Sequence, residues 1–190
     1  MKQKKSCGWS EGSDLYNEYH DTEWGVPVFD DRKQFEFLVL ESAQAGLSWL
    51  TILKKRENYR KAYSGFDPEK VARYSEKKKA ALLADPGIVR NRLKIEASIS
   101  NAKHFLELQK EFGSFSGYLW SFTGGKQVKG KWKTLAEIPA RTELSDTIAA
   151  DLKKRGFKFL GSTIMYAHLQ ATGLVNDHLT ACFRYKECCK

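Results

Sequence analysis

Apolar residues recur at helical spacing along most of the chain, and this pattern constrains the fold more than any other feature of the sequence. One run after Asp30 places six small or apolar residues at that spacing: Phe35, Leu38, Val39, Ser42, Ala43 and Gly46. No segment alternates apolar and polar residues over more than about five positions, as a half-buried strand would. The sequence therefore predicts an all-α fold.

Capping and proline signals predict where several helices begin and end. Asp67 followed by Pro68 is typical of a helix N-terminus, and the triplet at 85–87 (Asp-Pro-Gly) should end the next helix. We expect a long helix after that stop, with its apolar face running from Ile88 to Leu108. Other helices are expected to start at Asp14, Asp30, Ser114 and Ser145, close to Trp49, and after Gly161.

The composition describes a folded chain of domain size. Its 190 residues are 42% hydrophobic and 13% aromatic, which is enough for a buried core and excludes disorder. No apolar run reaches the ~18 residues of a membrane span, and no apolar stretch follows the basic N-terminus as in a signal peptide. Because the sequence has no repeat or linker, residues 1–190 are expected to form one domain. We expect the protein to be a cytoplasmic monomer.

Basic residues exceed acidic ones by 32 to 23, a formal net charge of +9. This excess predicts a polyanionic partner, with nucleic acid favoured over a membrane surface. Any single basic cluster is more often a solvated face than a binding site, but four clusters together favour polyanion binding. They comprise Lys54, Lys55, Arg56, Arg60 and Lys61; Arg90, Arg92 and Lys94; Lys126, Lys129, Lys131 and Lys133; and Lys153, Lys154, Arg155 and Lys158.

His178 and Cys182 are four residues apart, so on a helical turn their side chains point the same way. This spacing is typical of half a tetrahedral zinc site. On spacing alone, Cys7 and His20 are weak partners for them, and the adjacent Cys188 and Cys189 resemble spectators on a charged tail. A structural interpretation, with Cys182 as a small buried hydrophobe and His178 on the surface, stays open at this point.

Aromatic residues crowd the N-terminal part of the chain, and a carboxylate follows them. Trp9, Tyr16, Tyr19, Trp24 and Trp49 could form an aromatic core, or a pocket for a flat and electron-poor ring. Glu41 stands in an apolar segment, so it lies on a helix surface or points into a cavity, where it needs a donor or a cation.

Six segments together resemble bacterial 3-methyladenine DNA glycosylase I over nearly the whole chain. They are CGW at 7–9, YHDTEWGVP at 19–27, ESAQAGLSW at 41–49, KKRENYR at 54–60, KKRGFKF at 153–159 and GLVNDH at 173–178. The resemblance implies a helix-hairpin-helix glycosylase fold with one structural zinc joining the N- and C-terminal segments. It carries the zinc ligands onto Cys7, His20, His178 and Cys182, a set that fills a tetrahedral site and leaves no position for activated water.

The resemblance also places a DNA-binding hairpin at about residues 153–161. There Gly156 and Gly161 would let the backbone approach a phosphate, while Lys153, Lys154 and Lys158 would supply charge. This hairpin is less glycine-rich than is usual in the superfamily. Lys54 and Arg56 are the second choice for phosphate contacts.

The implied reaction is hydrolysis of the N-glycosidic bond of 3-methyladenine flipped out of alkylated duplex DNA, leaving an abasic site and free base, by a monofunctional enzyme. The resemblance places the base between Tyr19 and Trp49, with Glu41 hydrogen-bonding its edge. Trp9, Tyr16 and Trp24 would line the rest of the pocket. Leu47, beside Gly46, is expected to fill the gap in the duplex, unless it packs in the core. Asp177 is given no catalytic role.

Two other functions remain open from the sequence. A zinc-tethered DNA-binding module without activity would share the charge, the zinc and the hairpin, but it has no need of Glu41 among aromatic rings. An enzyme for a free alkylated base or nucleoside would gain nothing from a net charge of +9.

Overall fold

A computed structural model describes residues 5–189, which are mostly helical. Within that range the ten α-helices are α1 (Asp14–Thr22), α2 (Asp31–Gln44), α3 (Trp49–Ala62), α4 (Pro68–Ala72), α5 (Glu76–Ala84), α6 (Arg92–Phe112), α7 (Phe115–Ser121), α8 (Glu143–Lys154), α9 (Ser162–Ala171) and α10 (Phe183–Glu187). Two 3₁₀ turns lie at Ser64–Phe66 and Leu135–Glu137. The two-residue strands β1 (Val128–Lys129) and β2 (Val175–Asn176) pair in parallel, with Val128 opposite Val175. The predicted helical fold is confirmed, and this short pair is its only sheet among the described residues.

Several helix starts follow the predicted capping. The carboxylates of Asp30 and Asp67 accept hydrogen bonds from the first turns of α2 and α4, as expected. Helix α1 begins at Asp14 as predicted, although the N-cap position is Ser13. The predicted start of α8 at Ser145 is wrong by two residues: α8 begins at Glu143, because Thr142 is the N-cap and forms a capping box with Ser145.

The long helix differs from the prediction at its N-terminal end. Ile88 lies in the turn before α6, and Leu93 is 62% exposed instead of facing inward. The apolar residues that α6 does bury include Ile95, Ile99 and Phe105. The predicted apolar face began at Ile88, because residues 88–91 are mostly apolar or basic. In the structure the Asn91 side chain caps the N-terminus of α6, so the helix begins only after Asn91.

Helix α2 is the central element of the fold. Every residue from 34 to 43 is buried, because α3, α6, α7 and α9 all pack against α2. Phe35, for example, meets the ring of Phe105 on α6 at 5.2 Å between centroids. A helix covered on all sides carries any polar residue into the interior. Glu41, near the C-terminal end of α2, is therefore a buried carboxyl group.

The two ends of the described chain lie together. The amide of Phe183 donates a hydrogen bond to the carbonyl of Lys5 at 3.0 Å, and the Cys7 sulfur accepts one from the amide of Leu179 at 3.3 Å. No helix among residues 5–189 is both long and apolar enough to cross a membrane.

Candidate functional site

A cavity of about 360 Å³ opens between α1, the C-terminal end of α2, the start of α3 and α9. All six residues expected to form the pocket line it: Trp9, Tyr16, Tyr19, Trp24, Glu41 and Trp49. We call this cavity the aromatic pocket. Its volume lies within the range usual for small-molecule sites, and its wall is mainly aromatic with a few polar groups.

Five further residues line the aromatic pocket and were not predicted from the sequence: Gln44, Leu135, Ile138, Ala167 and Gln170. Leu135 and Ile138 come from the 3₁₀ turn near residues 135–137, in a segment without apolar periodicity. Gln44 lies inside the 41–49 motif and could have been inferred from the position of Glu41, one helical turn away. Ala167 and Gln170 carry no sequence signal, because only the packing of α9 brings them here.

The aromatic rings of the pocket are packed mostly edge to face. Trp9 lies 4.9 Å from Tyr16 and 5.1 Å from Trp24, measured between ring centroids. Tyr19 and Trp49 are 5.5 Å apart, with their planes tilted by 54°. A base between these two rings needs them parallel and roughly 7 Å apart, twice the ~3.4 Å base-stacking distance. In this conformation a base can stack on one ring, and stacking on both requires the rings to separate.

Glu41 is 2% exposed, and its Oε2 atom has no hydrogen-bond partner among the residues that the structure describes. Burial raises the pKa of this carboxyl from 4.5 to about 8. Burial also raises the pKa of Tyr16 and Tyr19, with the charge of Glu41 as a second cause, so both phenols stay neutral near pH 7. The pocket therefore holds an unsatisfied carboxyl group whose ionised form is costly until a donor or a cation enters.

The four residues expected to bind zinc meet in one buried Cys/His cluster. Their ligand atoms (Sγ of Cys7 and Cys182, ring nitrogens of His20 and His178) all lie within 4.8 Å of one another. The Cys7 Sγ and His178 Nδ1 atoms are 3.5 Å apart, and Cys182 Sγ is 3.6 Å from His20 Nε2 and 3.7 Å from His178 Nδ1. A tetrahedral zinc with ordinary Zn–S and Zn–N bonds has S···N edges of about 3.6 Å. The interpretation of His178 as a surface residue is wrong, because it is fully buried.

Neighbouring groups orient the ligands of this cluster. His20 Nδ1 lies 2.6 Å from the carboxylate of Asp21, and His178 Nε2 lies 2.9 Å from the Trp24 carbonyl oxygen. Each histidine therefore turns its other nitrogen to the cluster, as metal-binding histidines do. The hydrogen bond between the two thiols lowers the pKa of Cys182 and raises that of Cys7. The pair thus favours one thiolate, the form that binds metal.

Gly25 permits the tight packing behind His178. Its φ is +79°, and a Cβ atom there would come within 2.9 Å of the His178 ring. Only glycine tolerates both the positive φ and the lack of space for a Cβ atom. Cys188, expected to be a spectator on a charged tail, is instead buried, with its sulfur 3.9 Å from the Trp24 carbonyl. Neither Cys188 nor Cys189 belongs to the Cys/His cluster.

The predicted hairpin joins α8 to α9. The side chains of Lys153, Lys154 and Lys158 are exposed and form no ion pair within the described chain. Gly161 has open space around it, as close approach of a phosphate requires. Gly156 does not fit that role, because its φ of +93° turns the chain against the ring of His104, which a Cβ atom would meet at 2.7 Å.

Asn101 on α6 is buried and hydrogen-bonds the backbone of the hairpin. Its side chain accepts a hydrogen bond from the Lys158 amide at 2.8 Å and donates one to the Lys158 carbonyl at 2.9 Å. The backbone of Lys158 is therefore occupied, and its charged side chain is the part available to a polyanion. Phe159 follows with φ +57° and is 39% exposed.

The turn between α2 and α3 presents the predicted wedge. Gly46 has φ +80°, and Leu47 is 41% exposed, so packing of Leu47 in the core is excluded. The Lys94 ammonium donates to the carbonyls of Ala43 at 2.9 Å and Ala45 at 2.6 Å. These bonds satisfy the C-terminal end of α2, so one lysine ties the turn to α6.

Two arginines in the basic clusters are paired with carboxylates of the protein. Arg56, a second choice for phosphate contacts, makes paired hydrogen bonds to Glu23 at 2.6 and 2.7 Å and bonds Glu36 at 2.7 Å. Arg155 binds Glu111 and Asp151 in the same manner. Both guanidinium groups are neutralised by protein carboxylates, so Arg56 is unsuited to the predicted phosphate contact. Lys54 is exposed.

Comparison with known proteins agrees with the resemblance seen in the sequence. The family model described as methyladenine glycosylase matches residues 9–185. The chain is 49% identical over 179 residues to DNA-3-methyladenine glycosylase 1 of Escherichia coli (strain K12), covering 94% of this chain and 96% of that protein. It is 45% identical over 176 residues to DNA-3-methyladenine glycosylase of Haemophilus influenzae (strain ATCC 51907 / DSM 11121 / KW20 / Rd), covering 93% and 95%.

Solved structures lead to the same family. A crystal structure of 3-methyladenine DNA glycosylase I superposes with a TM-score of 0.91 at 50% identity, covering 94% of this chain and 98% of that one. The Staphylococcus aureus enzyme, solved to explain how it recognises 3-methyladenine, superposes with a TM-score of 0.91 at 38% identity, covering 95% and 96%. The resemblance predicted from the six motifs is confirmed: the chain belongs to the methyladenine glycosylase family, with the bacterial 3-methyladenine DNA glycosylases I.

Proposed function

We propose that the protein is a DNA repair glycosylase that hydrolyses the N-glycosidic bond of 3-methyladenine in alkylated duplex DNA, releasing the base and leaving an abasic site. The aromatic pocket supplies stacking surfaces, and Glu41 supplies the hydrogen-bonding group at the base edge. An N3-alkylated adenine is cationic in the nucleotide and leaves readily. The pocket therefore has to select the base more than it has to activate the bond.

The unsatisfied Glu41 carboxyl is the observation that carries this proposal. A buried polar group without a partner costs free energy unless a ligand satisfies it. A cationic or amino-bearing base entering between aromatic rings removes that cost, because it offers both a donor and positive charge. A module that only bound the DNA backbone would gain nothing from this residue.

The Cys/His cluster fits one structural zinc ion per chain. Two sulfurs and two imidazole nitrogens at tetrahedral edge distances are a preferred zinc donor set. Bound zinc would join the segment around Cys7 to that around Cys182 and so tie α1 to the C-terminal part of the chain. With four protein ligands there is no open position for a water molecule, so the role of the metal is structural.

We assign DNA contact to the hairpin and to the α2–α3 turn. Helices α8 and α9 with their connection form the helix-hairpin-helix unit, and Lys153, Lys154 and Lys158 face solvent there. Leu47 and Gly46 form the tip that would replace the flipped base. The protein acts as a single cytoplasmic domain, as a monomer and without cleaving the strand.

Incubation with methylated duplex DNA tests the activity, with unmethylated DNA as the control. We expect free 3-methyladenine, identified by chromatography against known methylpurines, and abasic sites in strands that stay intact until treated with alkali. Binding without base release would show an inactive DNA-binding module. Activity on free nucleosides in place of DNA would show a small-molecule enzyme. Either result would refute the proposal.

A further inference from the structure

Asp177 is a buried carboxyl group outside the aromatic pocket, and three donors converge on it. It is 1% exposed. The Trp132 indole N–H donates to its Oδ1 at 2.7 Å, and the Gln170 amide donates to Oδ2 at 2.8 Å. The Tyr166 hydroxyl also donates to Oδ2. Neither the stacking surfaces of the pocket nor the contact proposed for Glu41 involves this network.

The network fixes which way the Gln170 amide points. A carboxylate accepts hydrogen bonds and does not donate them, so the amide nitrogen of Gln170 must be the end that faces Asp177. The carbonyl oxygen, Oε1, is then at the opposite end of the amide. Rotating the amide by half a turn would set two acceptors against each other, which the buried position of Asp177 makes costly.

Gln170 also lines the aromatic pocket, on the α9 side, together with Glu41 and Trp49. The amide nitrogen of Gln170 carries two N–H donors. One donates to Asp177, and Gln170 also donates to the Tyr166 hydroxyl, which lowers the pKa of Tyr166. With its nitrogen engaged by these two residues, the amide offers its carbonyl oxygen, an acceptor, to a ligand. Adenine carries a donor, the N6 amino group, at the edge where guanine carries the acceptor O6. A fixed acceptor in the pocket therefore accepts adenine and opposes guanine.

Glu41 by itself gives a weaker discrimination between these bases. Burial raises its pKa to about 8, so near neutral pH the carboxyl can retain its proton. A protonated carboxyl both donates and accepts, and it could satisfy the O6 of guanine as well as the N6 of adenine. Selection between the bases thus needs a group that cannot change from acceptor to donor.

We propose that Gln170 is a specificity-determining residue for alkylated adenine, accepting a hydrogen bond from the exocyclic amino group of the base, and that Asp177 is its positioning residue. This inference rests on the proposed glycosylase function. Asp177 acts through Gln170 and does not touch the base.

Release of two bases from the same DNA tests the inference. The substrate is duplex DNA alkylated to carry both 3-methyladenine and 3-methylguanine, and the measured quantity is the ratio of the two kcat/KM values. Gln170→Met keeps the length of the side chain but removes the acceptor, so the preference for adenine should fall about tenfold to a hundredfold. Asp177→Asn can donate as well as accept, which allows the Gln170 amide to turn, so it should also lower the ratio.

Trp132→Phe is the matched control, because it removes the donor to Oδ1 of Asp177 and leaves the bonds of Gln170 to Asp177 and Tyr166 in place. We expect its ratio to remain that of the wild type. Zinc content and melting temperature are also measured for Asp177→Asn, because His178 is adjacent to this residue. If Asp177→Asn fails to fold, the ratio measured for Gln170→Met still tests the inference.

The outcomes separate the inference from the proposed function. A wild-type protein that releases 3-methyladenine, with Gln170→Met keeping the wild-type ratio, would overturn the inference and leave the function intact. An equal loss of both activities in Gln170→Met would show a structural role and overturn it as well. A wild-type protein that releases neither base would refute the proposed function together with the inference.

Discussion

Replacing Glu41 by glutamine should change how the stability of the protein depends on pH. The Glu41 carboxyl has a pKa of about 8 in the folded protein and an ordinary value of 4.5, with burial as the cause. A raised folded-state pKa means that the folded protein binds the proton more tightly than the unfolded chain does. The contribution of Glu41 to stability is then fully present below pH 4.5 and is lost as the pH rises towards 8. The side-chain amide of the Glu41→Gln variant stays neutral throughout.

The size of the effect follows from the two pKa values. Between them, the free energy of unfolding of the wild type should fall relative to Glu41→Gln by ~1.4 kcal/mol for each pH unit. From pH ~5.5 to ~8.5 this amounts to about 3 kcal/mol, because the change levels off near the folded-state pKa. Tyr16 and Tyr19 face Glu41, but their pKa values are raised from 10, so they remain protonated across this range.

Urea denaturation of both proteins at several pH values measures this difference. The Cys/His cluster is the same in both proteins, so any effect of pH on the metal cancels in the comparison. A difference in unfolding free energy that stays constant from pH ~5.5 to ~8.5 would refute the assignment of Glu41 as a buried, unsatisfied carboxyl.

Ligand binding gives a second measurement on the same pair of proteins. If the carboxylate accepts a hydrogen bond from the base, the proton of Glu41 must leave on binding, and the wild-type affinity should rise with pH relative to that of Glu41→Gln. Quenching of the pocket tryptophans by free 3-methyladenine reports the affinity. The ratio of the two affinities cancels any protonation of the base itself, and an invariant ratio would contradict the proposed contact.

Three further predictions concern the metal and the DNA. Cys182→Ser should lose the zinc and melt at a lower temperature, whereas Cys189→Ser, outside the cluster, should keep both properties; equal zinc contents would contradict the ligand assignment. Lys158→Ala should lower the slope of log affinity against log salt by about one relative to Lys77→Ala, an exposed lysine on α5 remote in sequence from the hairpin. An unchanged slope would move the DNA surface elsewhere. Leu47→Ala should weaken base release from duplex DNA but leave free-base affinity unchanged, and a loss of both would show that Leu47 shapes the pocket.

Periodicity and capping were sufficient to predict most of the helices. Asp30 and Asp67 mark helix starts because the interaction is local, between a side chain and the next turn of backbone. The errors arose where two local signals compete. At the start of α6 the apolar pattern extends back to Ile88, but the local cap formed by Asn91 begins the helix at Arg92. The exposure of Leu93, in contrast, depends on what packs against the helix.

The residues of the candidate site were harder to predict from the sequence than the helices. The spacing of His178 and Cys182 suggested half of a metal site but left a structural interpretation open. Spacing gave no reason to join Cys7 and His20 to them, and only the motif resemblance did. The structure brings all four together because the two ends of the chain pack side by side. Gln170 was missed altogether, since its position in the pocket depends on the packing of α9 and its orientation on Asp177, two relations that no local pattern records.

The Cys/His cluster and the aromatic pocket share their walls, so the proposed structural metal would be directly connected to the proposed base site. The Trp24 carbonyl oxygen lies 2.9 Å from His178 Nε2, and the two rings lie 4.6 Å apart. The ring of Trp9 lies 5.2 Å from that of His20 while it also lines the pocket. Two of the five pocket rings are therefore held by residues of the cluster. An ion that ties the chain ends together would fix the shape of the pocket without contacting the base, so the cluster can serve the reaction although no coordination position is left for chemistry.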